Sequence, residues 1–131
     1  MEKGANFNYR YADKKTPLLI AIDQENLEMV EYILNYADPN LGNPLGHAIA
    51  KGFISIVKML IERGAHLEGS MLTAATYGNV KIGRLLRKSG AEVNGKYNPH
   101  PRAENETPLM RAERYNHAKF AKMLVEYGAF M

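Results

Sequence analysis

The pattern of apolar and polar positions along this chain repeats four times. Each copy has a first run of small and apolar residues, a short polar or glycine-containing break, and a second run with apolar residues every three or four positions. In the second copy, this second run is the stripe Ile54, Val57, Leu60 and Ile61. Such spacing is typical of a helix with one buried face. The chain is therefore predicted to fold as consecutive pairs of short helices, and we expect the adjacent pair to cover this stripe.

Four segments align without internal gaps through both helices of a pair. They are TPLLIAIDQENLEMVEYIL from Thr16, NPLGHAIAKGFISIVKMLI from Asn43, GSMLTAATYGNVKIGRLLR from Gly69 and TPLMRAERYNHAKFAKMLV from Thr107. Alanine is the sixth residue of each segment, at Ala21, Ala48, Ala74 and Ala112. A small residue at that place lets neighbouring helices approach closely. The unit of this fold is therefore the repeat.

Helix boundaries can be predicted from Thr, Pro and Gly. A proline at the first helical position has its φ preset and loses no hydrogen bond, and a threonine before it can cap the helix. Thr16-Pro17 and Thr107-Pro108 supply both residues. Gly52 permits the turn between two helices, and Gly64 and Gly90 supply the left-handed conformation that commonly ends a helix.

These segments resemble ankyrin repeats. Thr16-Pro17-Leu18 and Thr107-Pro108-Leu109 match the opening of the family's T-P-L-H-x-A signature. Its close is matched by Gly64-Ala65, Gly90-Ala91-Glu92-Val93-Asn94 and Gly128-Ala129. The resemblance covers nearly the whole chain. It implies an all-α fold, an ankyrin-repeat solenoid of stacked antiparallel helix pairs, with about four full repeats and the tail of a preceding one.

The domain organisation expected from this resemblance is a single domain over residues 1–131. Its repeats start near residues 16, 43, 69 and 107. Residues 1–15 are interpreted as the tail and finger of a preceding repeat, because Gly4-Ala5-Asn6-Phe7-Asn8 has the same form as residues 90–94. Two hypotheses follow. The chain is a segment of a longer array, or it starts natively at Met1 and folds Phe130 and Met131 back onto the last helix.

The connections between repeats depart from the family pattern. The repeat starts imply spacings of 27, 26 and 38 residues, whereas the ankyrin period is 33. There is no room for projecting fingers after the first and second full repeats. The connection that follows Asn94 is longer than standard and contains Pro99 and Pro101, so it is predicted to be an extended, exposed finger. It is either a specificity loop or a tolerated insertion.

Charge is spread unevenly although the net charge is only +3. The first 68 residues contain seven Lys and Arg against nine Asp and Glu, and the rest contain ten against five. No acidic residue lies between Gly69 and Ala91, where one helix carries the basic stripe Lys81, Arg84, Arg87 and Lys88. We interpret this stripe as a solvated outer face, with an acidic partner or a phosphate-bearing surface as the alternative. Gly83 lies inside the same helix and is expected to cost about 1 kcal/mol relative to Ala.

Composition and motifs argue against catalysis. The chain has no Cys, which excludes disulfides, thiolate metal sites and a thiol nucleophile. Its four His residues lack the spacing of a metal site, and no phosphate-binding loop or nucleophile elbow is present. We therefore expect no enzyme activity, no cofactor and no metal. The sequence has no apolar run long enough to span a membrane, and it does not begin with a signal-peptide pattern. We therefore expect a cytoplasmic or other intracellular location, which would be the host cytoplasm if this is a pathogen protein.

The resemblance implies a non-catalytic protein–protein interaction module that binds its partner through the concave face and the finger loops. Carrying the family's contact positions onto this sequence selects Arg10, Tyr11, Lys14, Asp23, Gln24, Lys51, Thr76, Tyr77, Tyr97, His100, Arg102, Arg114 and Tyr115. Exposed Tyr and Arg are the residue types that dominate binding hot spots. The isolated chain is expected to be a monomer. The alternatives are a structural spacer within a longer array and, less favoured, a basic surface for nucleic acid or acidic lipid that adds Lys119 and Lys122 to the basic stripe.

Overall fold

The computed structural model describes residues 15–94 and 106–129, and every regular element in this part of the chain is an α-helix. The predicted all-α fold is confirmed. The helices are α1 (Pro17–Asp23), α2 (Leu27–Leu34), α3 (Pro44–Lys51), α4 (Ile54–Glu62), α5 (Ser70–Tyr77), α6 (Val80–Lys88), α7 (Pro108–Arg114) and α8 (Ala118–Glu126).

Helices α1 and α7 begin where the Thr-Pro signals predict, each with Pro as its first residue. Thr16 accepts a hydrogen bond from the backbone N–H of Leu19 at 3.1 Å, and Thr107 accepts one from Met110 at 3.2 Å. The side chain of Asn43 caps α3 in the same way. These caps satisfy backbone donors that have no partner inside the helix. The predicted left-handed helix terminators are present, with φ of 92° at Gly64 and 108° at Gly90.

The chain forms two compact units, residues 1–66 and 67–131. In the first unit, α1 pairs with α2 and α3 pairs with α4, while α1 lies beside α3 and α2 beside α4. In the second unit, α5 pairs with α6 and α7 with α8, while α5 lies beside α7 and α6 beside α8. Each unit is therefore a stack of two helix pairs.

Small alanines and branched apolar residues form the core of each unit. The four alanines at the sixth repeat position are all buried. In α4, Ile56, Val57 and Leu60 are fully buried. The expectation for Ile54 was wrong, because its side chain is 39% exposed. Ile54 is the first residue of α4, and the helix turns it away from the face that Ile56 presents to the core.

Gly83 has a packing role that its expected cost in helix propensity did not predict. Gly83 is buried in α6, and a Cβ atom built there would lie 2.7 Å from Cε2 of Phe120 and 2.7 Å from Cε of Met123. Real Cβ atoms almost never approach so closely. The missing side chain thus lets α8 place the Phe120 ring directly against the α6 backbone.

Candidate protein-binding surface

Two tyrosines stand at corresponding ends of the first helices of the second unit. Tyr77 is the last residue of α5, and Tyr115 follows the last residue of α7. They occupy the same position in their repeats, eight residues after Gly69 and Thr107. Tyr77 is 52% exposed and Tyr115 is 48% exposed. Both rings therefore present large apolar area and a hydroxyl group to the solvent.

Hydrogen bonds through Thr76 tie these two helix ends together. Arg111 donates from Nη1 to Oγ1 of Thr76 at 3.2 Å. His117 donates from Nε2 to the carbonyl oxygen of Thr76 at 2.9 Å. The Thr76 hydroxyl itself donates to the carbonyl oxygen of Leu72 at 3.1 Å. The hydroxyl and carbonyl groups of Thr76, which the sequence selected as a contact residue, thus already have hydrogen-bond partners within the second unit.

An acidic residue between two arginines holds the α7 side of this surface. Glu106 Oε2 accepts hydrogen bonds from Nε and Nη2 of Arg111 at 3.2 and 3.1 Å. The same oxygen accepts one from Nη1 of Arg114 at 3.0 Å. The Arg114 guanidinium also lies 5.9 Å from the centre of the Tyr115 ring, within cation–π range. On the described residues, Tyr77, Arg114 and Tyr115 form what we call the tyrosine surface.

The imidazole of His117 packs against one ring of the tyrosine surface. Its ring stacks on that of Tyr115, with centroids 6.5 Å apart and an angle of 24° between planes. Gly78 ends α5 in the left-handed conformation, with φ of 72°, and a Cβ there would collide with the His117 ring. The close approach of Gly78 and His117 joins residues that are far apart in the chain.

In the first unit, the selected residues Asp23 and Lys51 belong to one ion-pair cluster. Asp23 accepts hydrogen bonds from Nζ of Lys15 at 2.6 Å and from Nε2 of His47 at 2.5 Å. Nζ of Lys51 lies 4.0 Å from the same carboxyl group. The hydrogen bond from Lys15, followed by that from His47, holds the pKa of Asp23 below its ordinary value. These charges already have partners within the unit, whereas the neighbouring Gln24 is exposed.

Six of the selected residues lie outside the described part of the chain. They are Arg10, Tyr11, Lys14, Tyr97, His100 and Arg102. The long proline-containing connection and the expected first finger lie outside it as well. Their assignment to a binding surface stays a prediction.

The basic stripe of α6 is exposed, as expected, but two of its arginines share one aromatic partner. The guanidinium groups of Arg84 and Arg87 lie 5.8 and 5.6 Å from the centre of the Tyr127 ring. Arg84 also donates to the Tyr127 hydroxyl at 3.1 Å and lies 3.6 Å from the carboxylate of Glu126. Part of the stripe therefore stabilises the packing of α6 beside α8.

Across residues 15–94 and 106–129, no three His, Asp or Glu side chains gather closely enough to hold a metal ion. No helix in the described ranges is long and apolar enough to cross a membrane.

Comparison with known families accounts for the repeats. A family described as "Ankyrin repeats (3 copies)" matches residues 1–71, and one described as "Ankyrin repeat" matches residues 104–130. The chain belongs to the ankyrin repeat family. Ankyrin repeats are generally protein–protein interaction modules and are typically non-catalytic. A surface that binds another protein is therefore the kind of functional site expected in a member of this family.

The names of two similar proteins also contain the term ankyrin repeat. The chain is 30% identical over 99 residues to the human ankyrin repeat and KH domain-containing protein 1, with 70% of the chain covered. It is 30% identical over 132 residues to a Rickettsia felis protein named as an ankyrin repeat protein, with 95% covered. A transient-receptor-potential-like protein of Caenorhabditis elegans is 37% identical over 60 residues, 46% of the chain. The chain spans 4%, 46% and 6% of these relatives, respectively.

Proposed function

We propose that this ankyrin repeat chain binds a partner protein through the tyrosine surface of its second unit. The observation that carries the proposal is the exposure of Tyr77 and Tyr115 at about half their area on a support fixed by hydrogen bonds. Tyrosine combines large contact area with few rotatable bonds, so little conformational entropy is lost when a partner covers it. Prior fixation of the support lowers the cost of binding further.

Arg114 gives this surface a charged anchor beside the rings. Its guanidinium is held by Glu106 and by the face of Tyr115, yet its side chain is still 63% exposed. Arginine can donate two parallel hydrogen bonds to a carboxylate or to backbone carbonyl groups of a partner. The proposed partner element is therefore a compact helix or loop with apolar area for the two tyrosines and an acceptor for Arg114.

The wider proposal adds the finger residues selected from the sequence. Arg10, Tyr11 and Lys14 would contact the partner on one side, and Tyr97, His100 and Arg102 on the other. In the first unit, Gln24 is the selected residue whose side chain is exposed at the end of α1. Lys51 and Asp23 would contribute mainly by holding the ends of α3 and α1 in place, because they already share an ion-pair cluster.

The test has two stages. A photo-crosslinking amino acid is placed at Tyr115 in the organism's own cells, and proteins linked there are compared with those linked from exposed Ile54 of the first unit. A protein linked from Tyr115 alone is then purified and titrated against wild type, the Tyr77→Ala/Tyr115→Ala double variant and the Ile54→Ala control. Losing one tyrosine hot spot typically costs 2 kcal/mol or more, so we expect the double variant's Kd to rise at least about 30-fold.

Two results would contradict the proposal. One is an identical set of proteins linked from Tyr115 and Ile54. The other is an unchanged Kd for the double variant, provided that its thermal unfolding shows an intact fold. The Ile54→Ala control should bind the partner with the Kd of wild type. That result would show that weaker binding comes from removing the Tyr77 and Tyr115 rings and not from removing any exposed apolar side chain.

A further inference from the structure

The exposed side chains of α6 are all basic. They are Lys81, Arg84, Arg87 and Lys88, whereas the apolar side chains of this helix are buried or half-buried. Lys81, Arg84 and Lys88 follow one another at spacings of three and four residues. They therefore lie on one side of the helix and span about 10 Å along it.

The neighbouring helix α8 continues this basic side. Lys119 and Lys122 are exposed and hold the repeat positions of Lys81 and Arg84, 12 and 15 residues after the start of their repeat. Since α6 lies beside α8, and neighbouring helix axes are about 8–10 Å apart, the two helices present adjacent rows of charge. We call the six residues the basic face: Lys81, Arg84, Arg87, Lys88, Lys119 and Lys122.

The exposure of this face is a property of its repeat positions. The residue at the position of Lys81 is exposed in all four helix pairs, and so is the residue at the position of Arg84. Lys81 and Arg84 themselves remain exposed with another helix pair packed after theirs. The face is therefore exposed whether or not further repeats follow α8.

Few acidic groups neutralise the basic face. Helix α6 has no Asp or Glu, and α8 has only Glu126, whose carboxylate lies 3.6 Å from Arg84. Across residues 15–94 and 106–129, the four lysines of the face form no ion pair. By sequence, residues 1–14 contain three Lys and Arg against two Asp and Glu, and residues 95–105 contain two against one. Neither segment has the excess of acid that would match this face.

The side chains of the basic face fit a surface of mobile anionic groups better than a specific protein site. Protein interfaces depend on buried apolar and aromatic anchors, but on α6 and α8 the one exposed large apolar side chain is Val125. Four of the six basic residues are lysines. A lysine acts as a point charge and imposes little geometry on its ligand, unlike the planar guanidinium of arginine. Anionic groups that diffuse in a plane can gather around such charges.

Nucleic acid matches this face less well. Single strands are held by aromatic rings on which bases stack. The nearby Tyr127 ring already lies 5.8 and 5.6 Å from the guanidinium groups of Arg84 and Arg87. Sequence in a duplex is read by an element that enters the major groove, which is about 12 Å wide. Two adjacent helices are about 20 Å across, so they do not enter it together.

We propose that the basic face of the second unit docks on a membrane surface that contains anionic lipids. The lysines contact the charged headgroups, while Arg84 and Arg87 remain beside Tyr127 and add positive charge. The binding is peripheral and electrostatic. The tyrosine surface lies at the ends of α5 and α7, so the two surfaces use different helices. Membrane docking therefore goes beyond the proposed protein binding and does not depend on it.

Co-sedimentation of the full chain with lipid vesicles tests this proposal. Vesicles of phosphatidylcholine with about 30% phosphatidylserine supply the anionic surface, and pure phosphatidylcholine vesicles are the neutral control. We expect wild type to bind the anionic vesicles and not the neutral ones. Binding should fall steeply as NaCl is raised from about 50 to 500 mM, because salt screens exposed charges.

Substitutions at one repeat position of the two helices test the face itself. Each Lys or Arg near an anionic membrane strengthens binding about fivefold, so Lys81→Gln and Lys119→Gln should each weaken vesicle binding by that factor and the double variant by about 25-fold. Lys81→Arg/Lys119→Arg keeps both charges and should bind like wild type. Arg114→Gln removes one charge from the same unit outside the face, and its vesicle affinity should stay within about twofold of wild type.

Several results would overturn the proposal. They are equal binding of wild type to neutral and anionic vesicles, wild-type affinity in the Lys81→Gln/Lys119→Gln variant, and a loss in Arg114→Gln as large as that in Lys81→Gln. The last result would mean that net charge, not this face, controls binding. If random-sequence duplex DNA or polyglutamate displaces the chain from the vesicles at an equal concentration of negative charge, that class of partner replaces the membrane. Circular dichroism of each variant shows whether it is folded.

Discussion

The ring of Phe120 lies directly against the α-carbon of Gly83, with no side chain between them. A Cβ atom at Gly83 would come within 2.7 Å of the ring edge. Phe120 is fully buried, so the ring has little room to move away. The close approach of α6 and α8 in the second unit therefore depends on this glycine.

The first prediction is that Gly83→Ala lowers stability even though it improves helix propensity. Alanine favours the helix by about 1 kcal/mol, but overpacking a buried site costs about 1–3 kcal/mol. The free energy of unfolding, measured in urea, should fall for Gly83→Ala. The double variant Gly83→Ala/Phe120→Leu should lose less free energy of unfolding than the sum of the losses in the two single variants, because the smaller leucine makes room for the added Cβ. Ser55→Ala, at an exposed site in α4, is the control and should be close to neutral. If Gly83→Ala is instead more stable than wild type, the Phe120 ring can move away from the added Cβ and the prediction is wrong.

The second prediction contrasts two apolar residues of α4. Leu60 is fully buried, whereas Ile54 is substantially exposed. Leu60→Ala should lower the free energy of unfolding by about 2–5 kcal/mol, because it removes buried methyl groups and leaves a cavity. Ile54→Ala should lower it by less than Leu60→Ala does, because Ile54 is 39% exposed and its truncation leaves no enclosed cavity. Equal losses in chemical denaturation would argue against the assigned core.

A third prediction concerns acid pH and the Asp23 cluster. The pKa of Asp23 is lowered in the folded chain, chiefly by Lys15 and then by His47. Its contribution to stability is therefore present above the unfolded pKa and is lost as pH falls through the lower, folded pKa. Urea unfolding measured at about pH 5 and at about pH 2.5 compares the two sides of this window.

Wild type should lose more stability across this window than Asp23→Asn, which has no carboxyl group to titrate. Lys15→Met should also reduce the loss, because it removes the largest cause of the shift. Gln24→Ala, an exposed uncharged change next to Asp23, serves as the control and should follow wild type. Identical pH dependence in wild type and Asp23→Asn would mean that the cluster does not stabilise the ionised carboxyl group.

The fourth prediction tests the cap that begins α7. Thr107 is buried, and its hydroxyl oxygen accepts a hydrogen bond from the Met110 backbone N–H. Thr107→Ala should reduce stability by about 0.5–2 kcal/mol, because the backbone donor loses its partner. Thr107→Ser keeps the hydroxyl group and should retain most of that stability. If thermal unfolding ranks the two variants equally, loss of the methyl group rather than of the cap is responsible.

The sequence alone determined the secondary structure and the family of this chain. Thr16-Pro17, Thr107-Pro108 and Gly64 act through short-range effects, such as capping, preset φ and the left-handed turn, which depend on residues only a few positions apart. Apolar spacing likewise predicted the buried Val57 and Leu60. It could not separate Ile54 from Ile56, because the width of a buried stripe depends on how the neighbouring helix lies.

Only the tertiary structure decided which polar residues already have partners and which surfaces remain exposed. Asp23 meets His47 across 24 positions of sequence, Thr76 meets Arg111 across 35, and Gly83 meets Phe120 in a different helix pair. Such contacts depend on the packing of one helix pair against the next, which repeat positions alone do not specify. The same packing buries Phe120 and leaves Met29 exposed at an equivalent position, because burial depends on the neighbouring pair as well as on the residue itself.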